Sequence, residues 1–203
     1  MEQADRNQAI LSKYIPVPAV PLISEWILLL NFKLKIKKSR QTKNGDYRPP
    51  RKGLNHQITI NQNLNKYAFL LTLVHEIAHL ITYVNHGWNV KGHGLEWKNC
   101  FKKQITPFMR DEVFPIDLQL AIKSYMKNPA ASHCNNDDLM RALKSYDPTN
   151  NLVFLETLLV GTEFIHSKRH FFKGDKVSKR YKCIEKNTLN TYLFSGLAEV
   201  DIV

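Results

Sequence analysis

The sequence predicts an α+β protein, a domain of helices and strands followed by a small antiparallel β domain, and three observations predict it. Apolar residues recur at helical spacing between about residues 64 and 84. They alternate strictly with lysine in "FKLKIK" at 32 to 37, and after about residue 152 the chain breaks into short strand-like runs separated by Gly, Asp, Asn and Ser. At 203 residues and 43% hydrophobic content, one large domain, or a medium one with an appendage, has a sufficient core. Composition places a first domain over 1–128, a polar linker with a short helix over 129–150, and a small basic barrel-like β domain over 151–203.

The N-terminal "LSKYIPVPAVPLISEWILLLNF" reads as a helix, a proline-punctuated turn and an amphipathic helix from about Pro21, since proline is tolerated in a first turn. In "FKLKIK", apolar Phe32, Leu34 and Ile36 alternate with Lys33, Lys35 and Lys37, the pattern of a strand with one wet face. "KNGD" at 43 to 46 is a hairpin signal, because Asn-Gly tolerates positive φ, so "YR" should lead the returning strand. "HQITINQN" at 56 to 63 is another strand of what is expected to be a small antiparallel sheet. Asn63 or Asn65 then caps the long helix.

Beyond the loop "HGWNVKGHG", helices are predicted in "LEWKNCFKKQI", "IDLQLAIKSYMKN" and "DDLMRALKSYD", with "NPAASHCNND" as linker. The runs from "LVFLETL" to "LAEVDIV" predict a small barrel or curled sheet, basic between Lys168 and Lys186.

Twenty-nine Lys and Arg stand against eighteen Asp and Glu, and a net charge of +11 suggests a polyanionic partner such as DNA. The C-terminal cations Lys168, Arg169, Lys173, Lys176, Lys179, Arg180 and Lys182 interleave with Phe171, Phe172 and Tyr181, as in a nucleic-acid module. Three distant cysteines, Cys100, Cys134 and Cys183, form neither a disulfide framework nor a zinc ribbon, so a cytoplasmic, reducing setting is expected. The start has no secretory pattern, and the longest apolar run, "WILLL", is too short to span a bilayer, so no membrane role is expected. Cys134 with His133, and His166 with His170, lack the matching pairs of a second metal site.

The chemistry is concentrated in "HEIAH" at 75 to 79. His75 and His79, four apart on a helix, project from one face and can share one ion. Glu76 reaches the open side of that ion, where a carboxylate takes a proton from bound water and passes it to a leaving amine. This is the arrangement that metal-assisted peptide hydrolysis requires, and the metal it suggests is Zn2+. A third ligand is needed, and two histidines follow. His86 fits a metzincin pattern poorly, because that pattern has glycine three residues after the second histidine and its third histidine six after, where this chain has Thr82 and Asn85. His93 stands between Gly92 and Gly94 at the threshold of a helix.

"HEIAH" at 75 to 79 followed by "HGLEW" at 93 to 97 resembles the SprT-like family of zinc metallopeptidases, with "NGDYR" and "ITINQNLN" similar to its hairpin and to the strand before its active-site helix. The resemblance spans about residues 10 to 125. It implies a compact zincin-like domain with the active-site helix on a small antiparallel sheet, His75, His79 and His93 on zinc, and Glu76 as general base. It also implies a protein or peptide substrate whose extended backbone pairs with "HQITINQ". Trp97 would pack beneath His93, and core packing is the role expected for Trp26 and Trp88 as well. Relatives of the Spartan type digest proteins crosslinked to DNA, which makes DNA-associated proteins a candidate substrate class. Many members carry a C-terminal zinc ribbon with two Cys pairs, which this chain lacks. The alternative from another class is a DNA-binding or regulatory protein with a structural or vestigial zinc site.

Overall fold

Phe32, Leu34 and Ile36 turn toward a hydrophobic core while the lysines between them turn away, and this alternation lays down the first strand of a three-stranded sheet. The computed structural model describes residues 2–40, 42–51, 53–129, 136–148 and 152–203. The chain divides into two units, Met1–Asp147 and Pro148–Val203. Their architecture is α+β: helices around a three-stranded sheet in the first, a six-stranded antiparallel sheet in the second.

In the first unit, α1 (Glu2–Leu11) and α2 (Val20–Leu29) are joined by a proline-bearing 3-10 turn at Val17–Ala19. The strands are β1 (Phe32–Lys37), β2 (Gly45–Arg48) and β3 (His56–Asn61). Their order is β1-β3-β2, with β1 parallel and β2 antiparallel to β3. The sheet is therefore mixed, not antiparallel, and "KNGD" does not turn β1 back on itself. Instead the chain after β1 crosses the end of β3, and Asn61 holds the crossing. Its amide donates to Arg40 O (3.2 Å) and Lys43 O (2.9 Å), its Oδ1 accepts from Arg40 Nε (2.8 Å), and its backbone N–H reaches Asn44 O. Gly45 and Asp46 consequently lie inside β2 rather than in a turn.

Ile58 and Ile60 of β3 face the long helix α3 (Lys66–His86), which is capped by Asn65. Asn65 Oδ1 accepts from the N–H groups of Tyr67 (3.1 Å) and Ala68 (2.9 Å), satisfying donors that the first turn leaves open. Every residue from Ala68 to Ala78 is buried, so α3 is apolar all round because it is the core of the unit. It is the one described helix long and apolar enough to cross a membrane, and most of it is enclosed by protein. The helices α4 (Leu95–Ile105), α5 (Ile116–Met126) and α6 (Asp137–Lys144) complete the unit. The helix foreseen within the linker, α6, buries Leu139 and Leu143 in this core, while His133 and Cys134 lie outside the described residues.

The second unit contains β4 (Leu152–Phe154), β5 (Glu163–His166), β6 (Arg169–Val177), β7 (Arg180–Glu185), β8 (Thr191–Ser195) and β9 (Glu199–Ile202). Their order is β4-β9-β5-β6-β7-β8, antiparallel throughout. Among the described residues β4 and β8 are not paired with each other, so the sheet is not closed into a barrel. Leu155, Phe164, Phe171, Cys183 and Val200 form its core. The basic and aromatic interleaving is partly internal: Phe171 is buried, and Lys173 is 4% exposed, with Nζ donating to the carbonyls of Glu156 and Leu158. His170 bonds Glu163 and His166 bonds the Glu199 carbonyl, so the two histidines do not converge on a common point.

Candidate metal centre

On α3, His75 and His79 are one turn apart and point to the same side, as their spacing requires. The helix ends at Gly87, whose φ of 65° is open to glycine, and the chain returns through residues 88–92. His93 has φ 61°, a left-handed conformation that costs a non-glycine residue about 1–2 kcal/mol. That turn brings its ring back over α3. Gly94 then opens α4 as its N-cap, with its N–H on Lys91 O at 2.8 Å. A Cβ there would sit 2.8 Å from the same carbonyl oxygen, so of the two glycines flanking His93 only Gly94 is sterically required.

The result is a convergence of three imidazoles through the same atom. His75 Nε2 lies 3.3 Å from His79 Nε2 and 3.2 Å from His93 Nε2, and the last two are 2.8 Å apart. These three residues form a group able to hold a metal ion. His86, the last residue of α3, is exposed and outside it. Burial, with His93 adding to it, pushes the His79 imidazole down to about 3, and burial lowers His93. Both rings are therefore neutral near pH 7, the form whose lone pair binds a metal.

Trp97 is the floor. It is 0% exposed, and its ring lies 4.6, 5.3 and 4.5 Å from those of His75, His79 and His93. Phe101 stacks beneath it at 5.3 Å, so the ligand face rests on packed aromatic surface of α4. Trp26 packs edge-on against Phe108, as expected of a core residue. Trp88 does not: it is 70% exposed and touches Tyr83 by its edge. It stands on the loop that leads from α3 to His93.

Glu76 is 7% exposed, one position along from His75. Burial and then the charge of Asp46 push its carboxyl up to about 8, against an N–H donated by the Tyr47 backbone and the nearby charges of Lys43 and Arg40. Its wall is β2. A Cβ on Gly45 would stand 2.7 Å from Glu76 Oε1 and 2.7 Å from Thr72 Cγ2, so this glycine is where strand and carboxylate come closest. As part of the turn signal "KNGD" at 43 to 46, Gly45 has no expected place at the site. The glycine was the available signal, but its meaning depends on a neighbour thirty-one positions away.

The strand expected to receive substrate, β3, is occupied on both sides, by β1 and by β2. Its ladder positions are taken, and the edge nearest Glu76 belongs to β2. Residues 27–115 match the model of the SprT-like family. No curated protein and no solved structure matches the chain.

Proposed function

Because the chain carries a SprT-like domain over residues 27–115, we propose that it is a zinc-dependent metalloendopeptidase of the zincin type. His75, His79 and His93 hold the metal and Glu76 is the general base. The observation that carries this reading is the meeting of three Nε2 atoms 2.8–3.3 Å apart. Zinc bonded to nitrogen at about 2.0–2.1 Å with tetrahedral angles separates its ligand atoms by about 3.4 Å, so only a few tenths of an ångström of adjustment are needed. Three protein ligands also leave one position open, as in catalytic rather than structural sites.

Zinc bound there would polarise the scissile carbonyl and acidify a water molecule. The chain's own residues do the rest. Glu76, on the same helical turn as two ligands, would be the general base. Burial first and the charge of Asp46 next raise its carboxyl to about 8, and the charge of a cation held beside it would favour the ionised form that takes a proton from the attacking water and returns it to the leaving amine. The Tyr47 N–H and the close backbone of Gly45 hold the carboxylate in one place. Trp97 fixes the planes of the three imidazoles. An extended substrate pairs with the free edge of β2, which brings its backbone beside Glu76. The free thiols of Cys100 and Cys183 support a reducing, cytoplasmic setting, and the charge of +11 supports protein substrates held on DNA.

Glu76→Gln tests the reading. The variant should bind one zinc per chain and fail to cleave casein or a DNA-crosslinked protein, and activity equal to wild type would overturn the peptidase assignment. The competing reading, a DNA-binding or regulatory protein with a structural zinc, rests on the same positive charge. It gives Glu76 and the open coordination position no task.

A further inference from the structure

The positive charge of this protein is not evenly spread. Between residues 33 and 52, nine Lys and Arg stand against a single acid, Asp46, so these twenty residues carry eight of the chain's eleven net positive charges. Pro148–Val203, by contrast, has eight Lys and Arg against six Asp and Glu. Three of those eight are engaged internally: Arg169 by Glu185, Lys186 by Glu163 and Lys173 by carbonyls.

The fold sets part of the basic stretch on one surface, while Arg40 is engaged by Thr59 and Asn61. With Phe32, Leu34 and Ile36 in the core, Lys33, Lys35 and Lys37 stand on the opposite face of β1, level with Gln57, Thr59 and Asn61 of β3. Strand geometry spaces these lysines about 6.6 Å apart in a straight row, commensurate with successive phosphates of an extended single strand. Across β3, Arg48 is level with Gln57 and therefore with Lys33. Asp46 is already held by Lys43 and Arg48 at 2.8 Å each, so it does not neutralise the row on β1.

Lys33, Lys35, Arg48, Arg51 and Gln57 line a groove of about 840 Å³ together with the exposed Trp88. A large indole left in water beside a row of ammonium groups is a platform for a base stacked over a tracked backbone. An acidic peptide would satisfy the lysines and leave the indole unused, and a duplex would present no open base to it.

We infer that an extended single strand of nucleic acid binds this groove, its phosphates on Lys33, Lys35 and Lys37 of the outer face of the β1-β3-β2 sheet and a base reaching past the end of the sheet to Trp88, which rests on Tyr83 on the α3 side. It gives the proposed DNA-associated substrate an anchor in the metal-bearing unit itself. Binding is read without turnover, so this inference and the peptidase reading fail separately.

The test is fluorescence anisotropy of a labelled oligothymidylate with the full chain, in the wild-type and Glu76→Gln backgrounds, over a range of salt. Each phosphate contact on a single strand contributes a slope of about 0.7 in log K against log salt, or about five-fold in affinity at 0.1 M relative to 1 M. The triple variant Lys33→Gln, Lys35→Gln, Lys37→Gln should therefore bind about 100-fold more weakly at about 0.1 M salt and lose about 2 from the slope. Trp88→Ala should weaken binding at least about five-fold and leave the slope unchanged. The corresponding Lys→Arg triple, which keeps the charge, should bind like wild type and controls for folding. Wild-type affinity in the glutamine triple overturns the inference. So does loss of binding in Lys176→Gln, Lys179→Gln, Lys182→Gln instead, equal competition by polyglutamate, or no binding by the wild type at low salt.

Discussion

Replacing Gly45 with alanine adds one methyl group at the closest approach of β2 to Glu76. That carbon would lie 2.7 Å from Glu76 Oε1, 2.7 Å from Thr72 Cγ2 and 2.9 Å from Glu76 Cγ, where ordinary contact begins at 3.4 Å. Either the strand or the carboxylate must therefore retreat by roughly 0.7 Å. Both neighbours are buried on α3, where the Tyr47 N–H holds the end of Glu76 and Thr72 donates to the Ala68 carbonyl at 2.7 Å. Overpacking of this kind costs about 1–3 kcal/mol, which for a unit of this size is a fall in Tm of about 4 °C per kcal/mol. The kinetic effect should be larger, because displacing a catalytic group by about 1 Å can reduce a rate about 100-fold. The three histidines do not touch Gly45, so zinc content should be unchanged. The assay is peptidase turnover beside zinc stoichiometry and thermal melting, with Gly45→Ala compared with Gly53→Ala, whose Cβ meets nothing within 4 Å. Gly53 has positive φ, so its alanine variant is expected to lose stability without losing the base. Full activity and an unshifted Tm in Gly45→Ala would refute the claim that β2 positions Glu76.

Asn65→Ala removes both the cap of α3 and the donor that serves Leu143 O and Asp147 Oδ1, so a loss of about 2–3 kcal/mol in urea unfolding is expected; less than about 0.5 kcal/mol would dismiss the cap as unimportant. Trp97→Ala should cost about 3–5 kcal/mol and weaken zinc binding measured by competition with a chelator, while Trp97→Phe costs less, since Nε1 has no partner among the described residues. In the second unit, hydrogen bonds from Arg169 first and Thr188 next push the Glu185 carboxyl down to about 2 from its ordinary value near 4.5. A depressed carboxylate contributes stability that is fully present above about pH 4.5 and is lost as pH falls toward about 2, so Glu185→Gln should flatten part of that acid limb in thermal melts. Superimposable wild-type and variant curves between pH 2 and 5 would count against this account.

What was legible beforehand was what burial imposes locally. The alternation of "FKLKIK", the helical spacing of 64 to 84 and the i, i+4 histidines each follow from neighbours a few residues apart, and each led to the right element. The partners of those elements were less legible. "KNGD" is a genuine turn signal that was overridden, because the side-chain amide of Asn61 anchors the connection across β3 and places the glycine in a strand. Parallel pairing of β1 with β3 follows from that one crossing. The position of Trp88 was not legible either: an indole is expected inside on hydrophobicity alone, and here it stands 70% exposed on the loop between α3 and His93. In the second unit, strand number and alternation were readable, whereas closure depends on whether β4 meets β8, which no local pattern encodes.

The crossing between β1 and β2 also sets what kinds of change this chain can tolerate. Residues 38–44 must span two strand spacings, about 9.6 Å, to carry the chain from one side of β3 to the other. About three extended residues already cover that distance, so only a deletion that took most of the segment would pull Gly45 out of register, and it would remove from Glu76 both its strand wall and the charges of Arg40 and Lys43. An insertion at the same place would lengthen the bridge and leave both abutments standing. Insertions and short deletions in this segment should therefore both be accommodated, and only removal of most of it should reach the proposed base.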